Sequence, residues 1–236
     1  VYAISRDAGK ILWQREVRRE LPHEGIHISG SWASNSAVTD GRFVYADFGS
    51  RGLYCFDFKG ELKWKVDLGD MKTRMGFGEG SSPALHGDTL VVNWDHQGQS
   101  FVVALDKKTG KTIWKKDRDE VTSWATPVVA EFNGKTQVII SATKRVRSYD
   151  LANGDLLWQC GGLTMNVIPT PIVDKDTVYV ASGFRGNAML AIRAATAKGD
   201  VTGTDTVAWR FDKHTPYTPS MLLADNTLYF LKRNDA

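Results

Sequence analysis

The segment HEGIH contains the first residues whose types and spacing suggest chemistry: His23, Glu24 and His27. The pattern H-E-x-x-H binds zinc when it lies on a helix, because residues four positions apart then share one face and both imidazoles reach the metal. Here Pro22 precedes the pattern, Gly25 interrupts it, and no third ligand is evident at a familiar spacing. The segment therefore predicts a loop, with no metal site and no peptidase activity.

Two other segments place polar groups close together. In WDHQG the residues Trp94, Asp95 and His96 are adjacent, and an Asp beside a His has the composition of an acid–base pair. Neighbours in sequence rarely form such a pair, so ordinary hydrogen bonding within a loop is the alternative interpretation. The segment GFGEG has neither dinucleotide-binding nor P-loop spacing. It predicts a tight loop from which Glu79 could point into a pocket, and no catalytic residue is predicted.

The elements that must position these segments are repeats anchored on tryptophan. The anchors recur at intervals of 44 to 51 residues: Trp13, Trp64, Trp114, Trp158 and Trp209. Four anchors follow a glycine by four positions, and these glycines are Gly9, Gly60, Gly110 and Gly154. The fifth repeat has an insertion at this point, which predicts a longer turn.

Between the anchors, each repeat contains two apolar runs joined by a turn such as Asp40-Gly41 or Asn133-Gly134, which indicates a hairpin. Each unit is thus four short antiparallel strands. Units of this kind that repeat about every 40 to 50 residues are typical of a β-propeller. We predict an all-β fold in which residues 1–236 form one propeller domain. Its arc has four full blades flanked by two half-blades; a closed five-bladed ring, with the C-terminal strands completing the first blade, is the alternative.

The composition excludes several classes of protein. Of the 236 residues, 42% are hydrophobic and 24% are charged, and the formal net charge of +3 is too small to indicate nucleic-acid binding. No apolar run approaches the roughly 18 residues that a transmembrane segment needs. Cys55 and Cys160 lie far apart in the sequence, so no disulfide framework is indicated. The chain begins at Val1 inside a predicted strand, and we expect it to be a piece of a longer protein.

Alternating strand directions predict that the connections after each Trp and those in the middle of each unit share one face. Functional residues are expected there, because loops on a rigid scaffold often carry function. The middle connections carry these cations: Arg51, Lys144, Arg145, Arg185, Lys232 and Arg233. They predict a positive collar suited to an anionic small ligand or a protein partner. Ordinary solvated charge is the alternative, and Asp47, Glu79 and Asp95 would reduce the field.

Aromatic residues mark the same face. Trp32 and Trp124 precede first strands in the matching segments SWAS and SWAT. They are either platforms at the channel mouth or, as the repetition favours, packing anchors. The predicted ligand- or partner-binding face comprises Arg51, Glu79, Trp94, Asp95, His96, Trp124, Arg145, Asn166 and Arg185.

The phrase A-x-D-x-x-T-G-x-x-x-W, complete from Ala104 to Trp114, resembles the tryptophan-docking motif of pyrroloquinoline quinone (PQQ)-like repeat propellers. Degenerate copies span the chain, whereas the Gly-His and Trp-Asp signature of WD40 repeats is missing at the corresponding places. Propellers of this type usually have seven or eight blades. The resemblance therefore implies that the arc belongs to a larger ring.

The resemblance implies two functions. Quinoprotein dehydrogenases oxidise alcohols or sugars with PQQ and calcium, using a vicinal cysteine pair and a set of acidic and amide ligands. Cys55 and Cys160 are not adjacent, and Asp95, Glu79 and Asn166 are only loose candidates for the other groups. The chain is also similar to BamB-like and uncharacterised bacterial PQQ-like repeat proteins, and to sensory propellers of kinases. We favour a non-catalytic binding scaffold without a cofactor, periplasmic or extracellular, with a dehydrogenase fragment as the alternative.

Overall fold

The computed structural model describes residues 1–232, so the predicted collar residue Arg233 lies outside the described residues. Short antiparallel sheets follow one another along the chain, beginning with an N-terminal half-blade of β1 (Tyr2–Ile4) and β2 (Ile11–Gln14). Blade 1 contains β3 (Val38–Thr39), β4 (Phe43–Asp47), β5 (Leu53–Asp57) and β6 (Leu62–Val66). Blade 2 contains β7 (Ala84–His86), β8 (Thr89–Trp94), β9 (Ser100–Asp106) and β10 (Thr112–Arg118). The all-β prediction is confirmed.

The second half of the chain repeats this arrangement. Blade 3 contains β11 (Val128–Phe132), β12 (Lys135–Ile140), β13 (Val146–Asp150) and β14 (Leu156–Cys160). Blade 4 contains β15 (Ile172–Asp174), β16 (Thr177–Ser182), β17 (Ala188–Arg193) and, after β18 (Gly199–Asp200), β19 (Val207–Phe211). A C-terminal half-blade contains β20 (Leu222–Ala224) and β21 (Thr227–Tyr229). Within residues 1–232, β1 pairs only with β2 and β21 only with β20, so these strands do not close a five-bladed ring.

A β-bulge precedes every anchor tryptophan. The pairing of the last two strands shifts by one residue beside Trp13, Trp64, Trp114, Trp158 and Trp209. A bulge bends its strand and re-aims the following side chain. The repeated position of the bulge therefore explains how an outer strand turns its Trp ring toward the next blade.

Three of these rings dock on the next blade in the same way. The indole Nε1 of Trp64 donates to Lys107 O at 2.9 Å, and that of Trp114 donates to Leu151 O at 2.7 Å. Trp13 does the same at Phe58 O, at 2.9 Å. The ring lies on the turn glycine: a Cβ on Gly110 would stand 2.7 Å from the Trp64 ring. The positive φ of this glycine, 71°, suits the turn as well, so only glycine meets both demands.

The fourth joint differs because of the predicted insertion. Trp158 is fully buried and donates to Gln137 Oε1 of its own sheet at 3.0 Å. The insertion returns as β18, which pairs in parallel with β14 and places Gly199 opposite Trp158. An added strand therefore replaces the short glycine turn as the cover of this Trp.

The apolar core lies between successive blades. Tyr45, Cys55, Val92 and Phe101 belong to the cluster that joins blades 1 and 2. Trp94 belongs to the same cluster, is 2% exposed and stacks on Phe101 with ring centroids 5.6 Å apart. The prediction that Trp94 lies on the binding face is therefore wrong, because it is the last residue of β8 and its ring turns into the inter-blade core.

Candidate functional site at the loop-rich face

Hydrogen bonds join several of the connections that the alternation of strand directions predicts to share one face. Met71 N, in the connection between blades 1 and 2, donates to Ser50 Oγ in the middle connection of blade 1 at 2.7 Å. Trp124 Nε1, in the connection after blade 2, donates to Gly78 O at 2.7 Å. The indole of Trp124 thus fastens two connections together. It acts as a packing anchor that is also partly exposed.

The HEGIH segment lies in the long connection between β2 and β3, outside any helix. His27 Nδ1 contacts Ser29 Oγ at 2.7 Å, and its ring packs edge-on against Phe77. His23 instead reaches the neighbouring connection, where its Nε2 lies 2.6 Å from Met71 O and 3.8 Å from Glu79 Oε1. The two histidines therefore diverge, as expected for a loop, and do not form the zinc site of a helical H-E-x-x-H motif.

Glu24 and Glu79 lie close to His23, and Asp47 lies near Glu79; these four residues are called the mouth cluster. Glu24 accepts hydrogen bonds from Thr73 N at 3.1 Å and from its hydroxyl. One candidate ligand atom from each of His23, Glu24 and Glu79 lies within 4.8 Å of the other two. Sequence inspection missed this grouping because Glu79 comes from a different connection, with no spacing rule to link it to the motif.

Glu79 is held by the 3-10 turn Gly49–Arg51. Ser50 donates both its amide, at 2.7 Å, and its hydroxyl to the carboxylate. A Cβ on Gly49 would lie 1.6 Å from Glu79 Oε2, so glycine leaves the space that the carboxylate occupies. Burial raises the pKa of Glu79 above its usual value.

Asp47 lies behind Glu79 and is 5% exposed. Gly49 N and Asn35 Nδ2 each donate to it at 2.9 Å. Burial raises the pKa of Asp47 to about 6, and the nearby charge of Glu79 adds to that effect. The carboxylates of the mouth cluster are therefore stabilised by neutral donors, and His23 lies 3.8 Å from Glu79.

A second buried group, called the seam cluster, joins blades 2 and 3 and contains Asp95, Arg118, Glu120 and Arg147. Arg118 donates to Asp95 through Nε at 2.8 Å and Nη2 at 3.1 Å, and both side chains are fully buried. Arg147 Nη1 similarly contacts Glu120 Oε1 at 2.5 Å. Each carboxylate here has its own guanidinium, and the cluster crosses between blades where Arg118 donates to Tyr149 OH at 2.7 Å.

The contacts of Asp95 and His96 distinguish between an acid–base pair and ordinary loop hydrogen bonding in the segment WDHQG. Asp95 is committed to Arg118 and to the hydroxyl of Ser123, 2.6 Å away. His96 Nδ1 accepts from Lys72 N at 3.0 Å, and Nε2 lies 3.1 Å from Gln99 O. Both ring nitrogens are therefore used in loop hydrogen bonds. Asp95 and His96 do not form an acid–base pair, and ordinary loop hydrogen bonding describes this segment.

Two residues of the predicted positive collar, Arg51 and Arg145, form ion pairs. Arg51 contacts Glu20 and, at 2.9 Å, Asp70, while Arg145 contacts Asp200 at 2.7 Å. Arg185 is exposed, with a positive φ of 51°, and its guanidinium lies over the Phe184 ring. Paired surface charges give a weak field, so the solvated-charge alternative describes Arg51 and Arg145.

Asn166 was predicted on this face and is almost completely buried, with 2% of its surface exposed. Its backbone φ of 57° places it in the left-handed region. Within the described residues, neither its amide oxygen nor its amide nitrogen has a hydrogen-bond partner. It therefore lies below the face rather than on it.

Exposed apolar side chains occur on the two connections that meet at the mouth cluster. Ile28 is 98% exposed, Leu21 89%, Met75 79% and Trp32 58%. The connections touch where His27 N donates to Phe77 O at 3.2 Å. We call Leu21, Ile28, Trp32 and Met75 the apolar patch. Sequence inspection singled out only Trp32, because isolated apolar residues in loops carry no periodic signal.

A cavity of about 520 Å³ borders Trp32 of the apolar patch. His23, Glu24 and Glu79 line it, together with Trp32 and Arg51. The mouth cluster therefore borders an open space that a small ligand can enter.

The residues considered for PQQ and calcium do not assemble a site. Cys55 lies in the core between blades 1 and 2, and Cys160 in the core between blades 3 and 4. Burial raises the pKa of these thiols to about 12 and about 11. Asp95 is held by Arg118. These three groups therefore have structural roles and do not form a quinone site.

The successive four-stranded sheets with docked tryptophans define the class of the protein, a β-propeller of PQQ-like repeats. The chain belongs to the family described as "Outer membrane protein assembly factor BamB", which matches residues 1–236. A BamB protein of Francisella salina is 30% identical over 101 residues, which cover 43% of this chain and 18% of that protein.

Solved structures agree on the fold. BamB from Moraxella catarrhalis superposes with a TM-score of 0.63 at 18% identity, covering 93% of this chain and 61% of that one. A quinohemoprotein alcohol dehydrogenase from Comamonas testosteroni gives 0.55 at 14% identity, covering 87% of this chain and 39% of that one. A europium-containing methanol dehydrogenase gives 0.53 at 16% identity, covering 84% and 47%. The chain thus spans less than two thirds of these proteins. No helix within residues 1–232 is long and apolar enough to cross a membrane.

Proposed function

We propose that the protein is a non-catalytic, extracytoplasmic scaffold that binds a protein component of outer-membrane protein assembly through its loop-rich face. The family match along the whole chain supports the assembly role, as does the name of the Francisella relative. The apolar patch is the observation that carries the binding surface. Exposed apolar groups on adjoining loops are typical of protein-interaction sites.

The surroundings of the patch indicate the chemistry of the partner. Lys72 and Arg74 precede Met75 closely in the sequence, and within the described residues neither takes part in an ion pair. A partner segment with two or three large apolar side chains and neighbouring acidic residues would complement this surface. The non-catalytic part of the proposal is supported by Asp95 and His96, whose reactive groups are used in structural contacts.

Site-specific photo-crosslinking in a bacterial host that produces the full protein tests this proposal. A photoreactive phenylalanine analogue replaces Ile28 or Met75, and the matched control replaces Ile113, which is 48% exposed on β10 near the glycine-turn face. We expect cross-links from positions 28 and 75 to a component of the outer-membrane assembly machinery, and none from position 113. Equal cross-linking from all three positions, or products with unrelated proteins only, would contradict the proposal.

A second measurement connects the surface to function. Ile28→Asp combined with Met75→Asp should lower the amount of assembled outer-membrane protein in a strain lacking the chromosomal copy. Substitution of such exposed residues usually changes stability by no more than about 0.5 kcal/mol, so the abundance of the scaffold should stay constant. Ile113→Asp is the control. Normal assembly in the double variant would contradict the proposed role of the patch.

A further inference from the structure

The mouth cluster combines metal-ligating groups that the scaffold function does not use. We propose that His23, Glu24 and Glu79 bind one divalent metal ion, Zn²⁺ or Mn²⁺. This proposal is independent of the scaffold function. It departs from the sequence-based expectation of no metal, because the third ligand comes from a connection that no motif joins to HEGIH.

The spacing of the three side chains suits one ion. Bonds of about 2.0 to 2.2 Å from a metal to nitrogen and oxygen place neighbouring ligand atoms about 3 to 4.4 Å apart. His23 Nε2 and Glu79 Oε1 are 3.8 Å apart, and the whole set lies within 4.8 Å. Small side-chain movements therefore complete the geometry, with no change in the backbone.

Hydrogen bonds from other residues hold both carboxylates in place. Thr73 donates its amide and hydroxyl to Glu24, and Ser50 donates its amide and hydroxyl to Glu79. A carboxylate has about four lone-pair directions, so each keeps acceptor capacity for a metal. Outer donors of this kind orient metal ligands in known sites.

His23 is the ligand that must change its hydrogen bonding. Its Nε2 lies 2.6 Å from Met71 O, which assigns the proton to Nε2 without a metal. Ligation through Nε2 requires the other tautomer, with the proton on Nδ1. The carbonyl of Met71 then loses a donor at the point where the ion would lie, and becomes available as a fourth ligand.

The negative charge of the mouth cluster also favours binding of a cation. Glu24, Asp47 and Glu79 form no ion pair with any lysine or arginine among residues 1–232; the sole ion-pair partner found there is His23, with Glu79. Glu24 and Glu79 are partly buried and Asp47 is buried, and removing a carboxylate from water is costly without a positive partner. A divalent ion would supply that partner, and the cavity of about 520 Å³ lined by all three ligands gives it a path from solvent.

A second, independent observation lies directly behind Glu79. A narrow cavity is lined by Glu79, Thr73, Met71 and Asn93. Asn93 is 1% exposed, and its Oδ1 has no hydrogen-bond partner within the described residues. An unsatisfied buried acceptor beside a carboxylate requires a donor or a cation. A donor or cation is therefore missing on the interior side of the mouth cluster as well as on the side of the open cavity.

The donor set selects the class of ion. Imidazole favours Zn²⁺ and its neighbours, carboxylates also suit Mn²⁺, and Ca²⁺ prefers six to eight oxygen ligands (about 2.3 to 2.6 Å away). One nitrogen with two or three oxygens thus favours Zn²⁺ or Mn²⁺ over Ca²⁺. Separate titrations with the three ions distinguish these possibilities.

Isothermal titration of the purified protein, stripped with EDTA and then freed of it, tests the site. ZnCl₂, MnCl₂ and CaCl₂ are added separately, and metal content is measured after dialysis. We expect one equivalent of Zn²⁺ or Mn²⁺, with affinity falling at least about tenfold in His23→Gln and in Glu79→Gln, as even outer-shell changes have that effect. The matched controls are His86→Gln and Glu131→Gln, which alter exposed residues on β7 and β11.

Absence of one-to-one binding in folded protein, or unchanged affinity in His23→Gln, would overturn the proposal. A readout on the unmodified protein covers the case in which a variant fails to fold. The imidazole ¹⁵N resonances of His23 should shift on addition of Zn²⁺, while those of His86 stay constant. Shifts confined to other histidines would overturn the proposal equally.

Discussion

The seam cluster and the mouth cluster both contain carboxylates that are buried or partly buried, yet they balance charge in opposite ways. In the seam cluster each carboxylate faces a guanidinium, with Asp95 against Arg118 and Glu120 against Arg147. In the mouth cluster Asp47, Glu24 and Glu79 are held by backbone amides, hydroxyls and one side-chain amide. The charges of the seam cluster are neutralised by groups of the protein itself, and those of the mouth cluster are not.

This difference separates a structural site from a binding site. A buried ion pair with all its hydrogen bonds made has no capacity left for a ligand, and its role is to join the elements that supply its members. Arg118 belongs to β10 of blade 2 and Tyr149 to β13 of blade 3, so the seam fixes one blade against the next. The mouth cluster keeps free lone pairs, raised pKa values at Glu79 and Asp47, and access to a cavity.

The largest expected effect comes from breaking the seam. Arg118→Met should destabilise the protein by about 3 to 5 kcal/mol, because it leaves Asp95 buried without a partner. Chemical denaturation measures this loss. Lys116→Met is the control, since Lys116 forms an exposed pair with Asp155 at 3.2 Å, and such pairs contribute about 0 to 1 kcal/mol.

A double variant sharpens the assignment. Asp95→Asn in the Arg118→Met background removes the unpaired charge and should recover a large part of the lost stability. If the double variant is as unstable as Arg118→Met, the loss comes from packing of the arginine stem, and the seam is not primarily an ion-pair site.

A smaller effect is expected from Gly49→Ala at the mouth. Gly49 and Gly87 have nearly the same backbone, with φ of 54° and 55°, but a Cβ meets Glu79 Oε2 at Gly49 and nothing within 4 Å at Gly87. Both alanine variants should lose about 1 kcal/mol of stability, because alanine is strained in the left-handed backbone conformation. The free energy of unfolding of Gly49→Ala should fall by about 1 to 3 kcal/mol more than this, because Ser50 loses its buried acceptor.

Denaturation curves of the two glycine variants, followed by Zn²⁺ titration of each, make this comparison. Gly49→Ala should lose zinc binding together with the Glu79 position, whereas Gly87→Ala should keep it. Equal stability losses in both variants would mean that Glu79 moves without cost, and that its carboxylate is not held in place by the turn.

The repeat determined what could be predicted from the sequence. Gly110 and Trp114 recur at a fixed spacing, so the strands, the turns and the docking role followed from the pattern. The loop-rich face follows from the alternation of strand directions. Trp94 was misplaced because an apolar residue at a strand end can face either the core or the loops, and sequence alone does not distinguish them.

The two clusters could not be predicted for a different reason. His23 and Glu79 come from separate connections. Asp95 lies in the middle connection of blade 2, whereas Arg118 ends the last strand of that blade. Their meeting depends on how loops of irregular shape fold over one another. No periodicity records such contacts, and the adjacent pair Asp95 and His96 suggested a partnership that the structure replaces with two others.

The smallest expected effect is a pH dependence of the protein's stability that arises from the mouth cluster. The pKa of Asp47 is raised from 3.8 to about 6 in the folded protein, chiefly by burial. Folding therefore favours the protonated acid, and its contribution to stability is fully present below about pH 4 and is lost as the pH rises through 6. Between pH 7 and pH 5 the wild-type protein should gain about 1 kcal/mol that Asp47→Asn does not gain.

Denaturation at both pH values, with EDTA present to keep the mouth free of metal, measures this difference. Asp57→Asn is the matched control, because a hydrogen bond from Lys63 lowers the pKa of Asp57 to about 2, and Asp57 therefore stays ionised across this range. It should keep the wild-type pH dependence. If Asp47→Asn also keeps it, the acid at the mouth is already balanced by a charge within the protein, and the contrast between the two clusters disappears together with the need for an external cation.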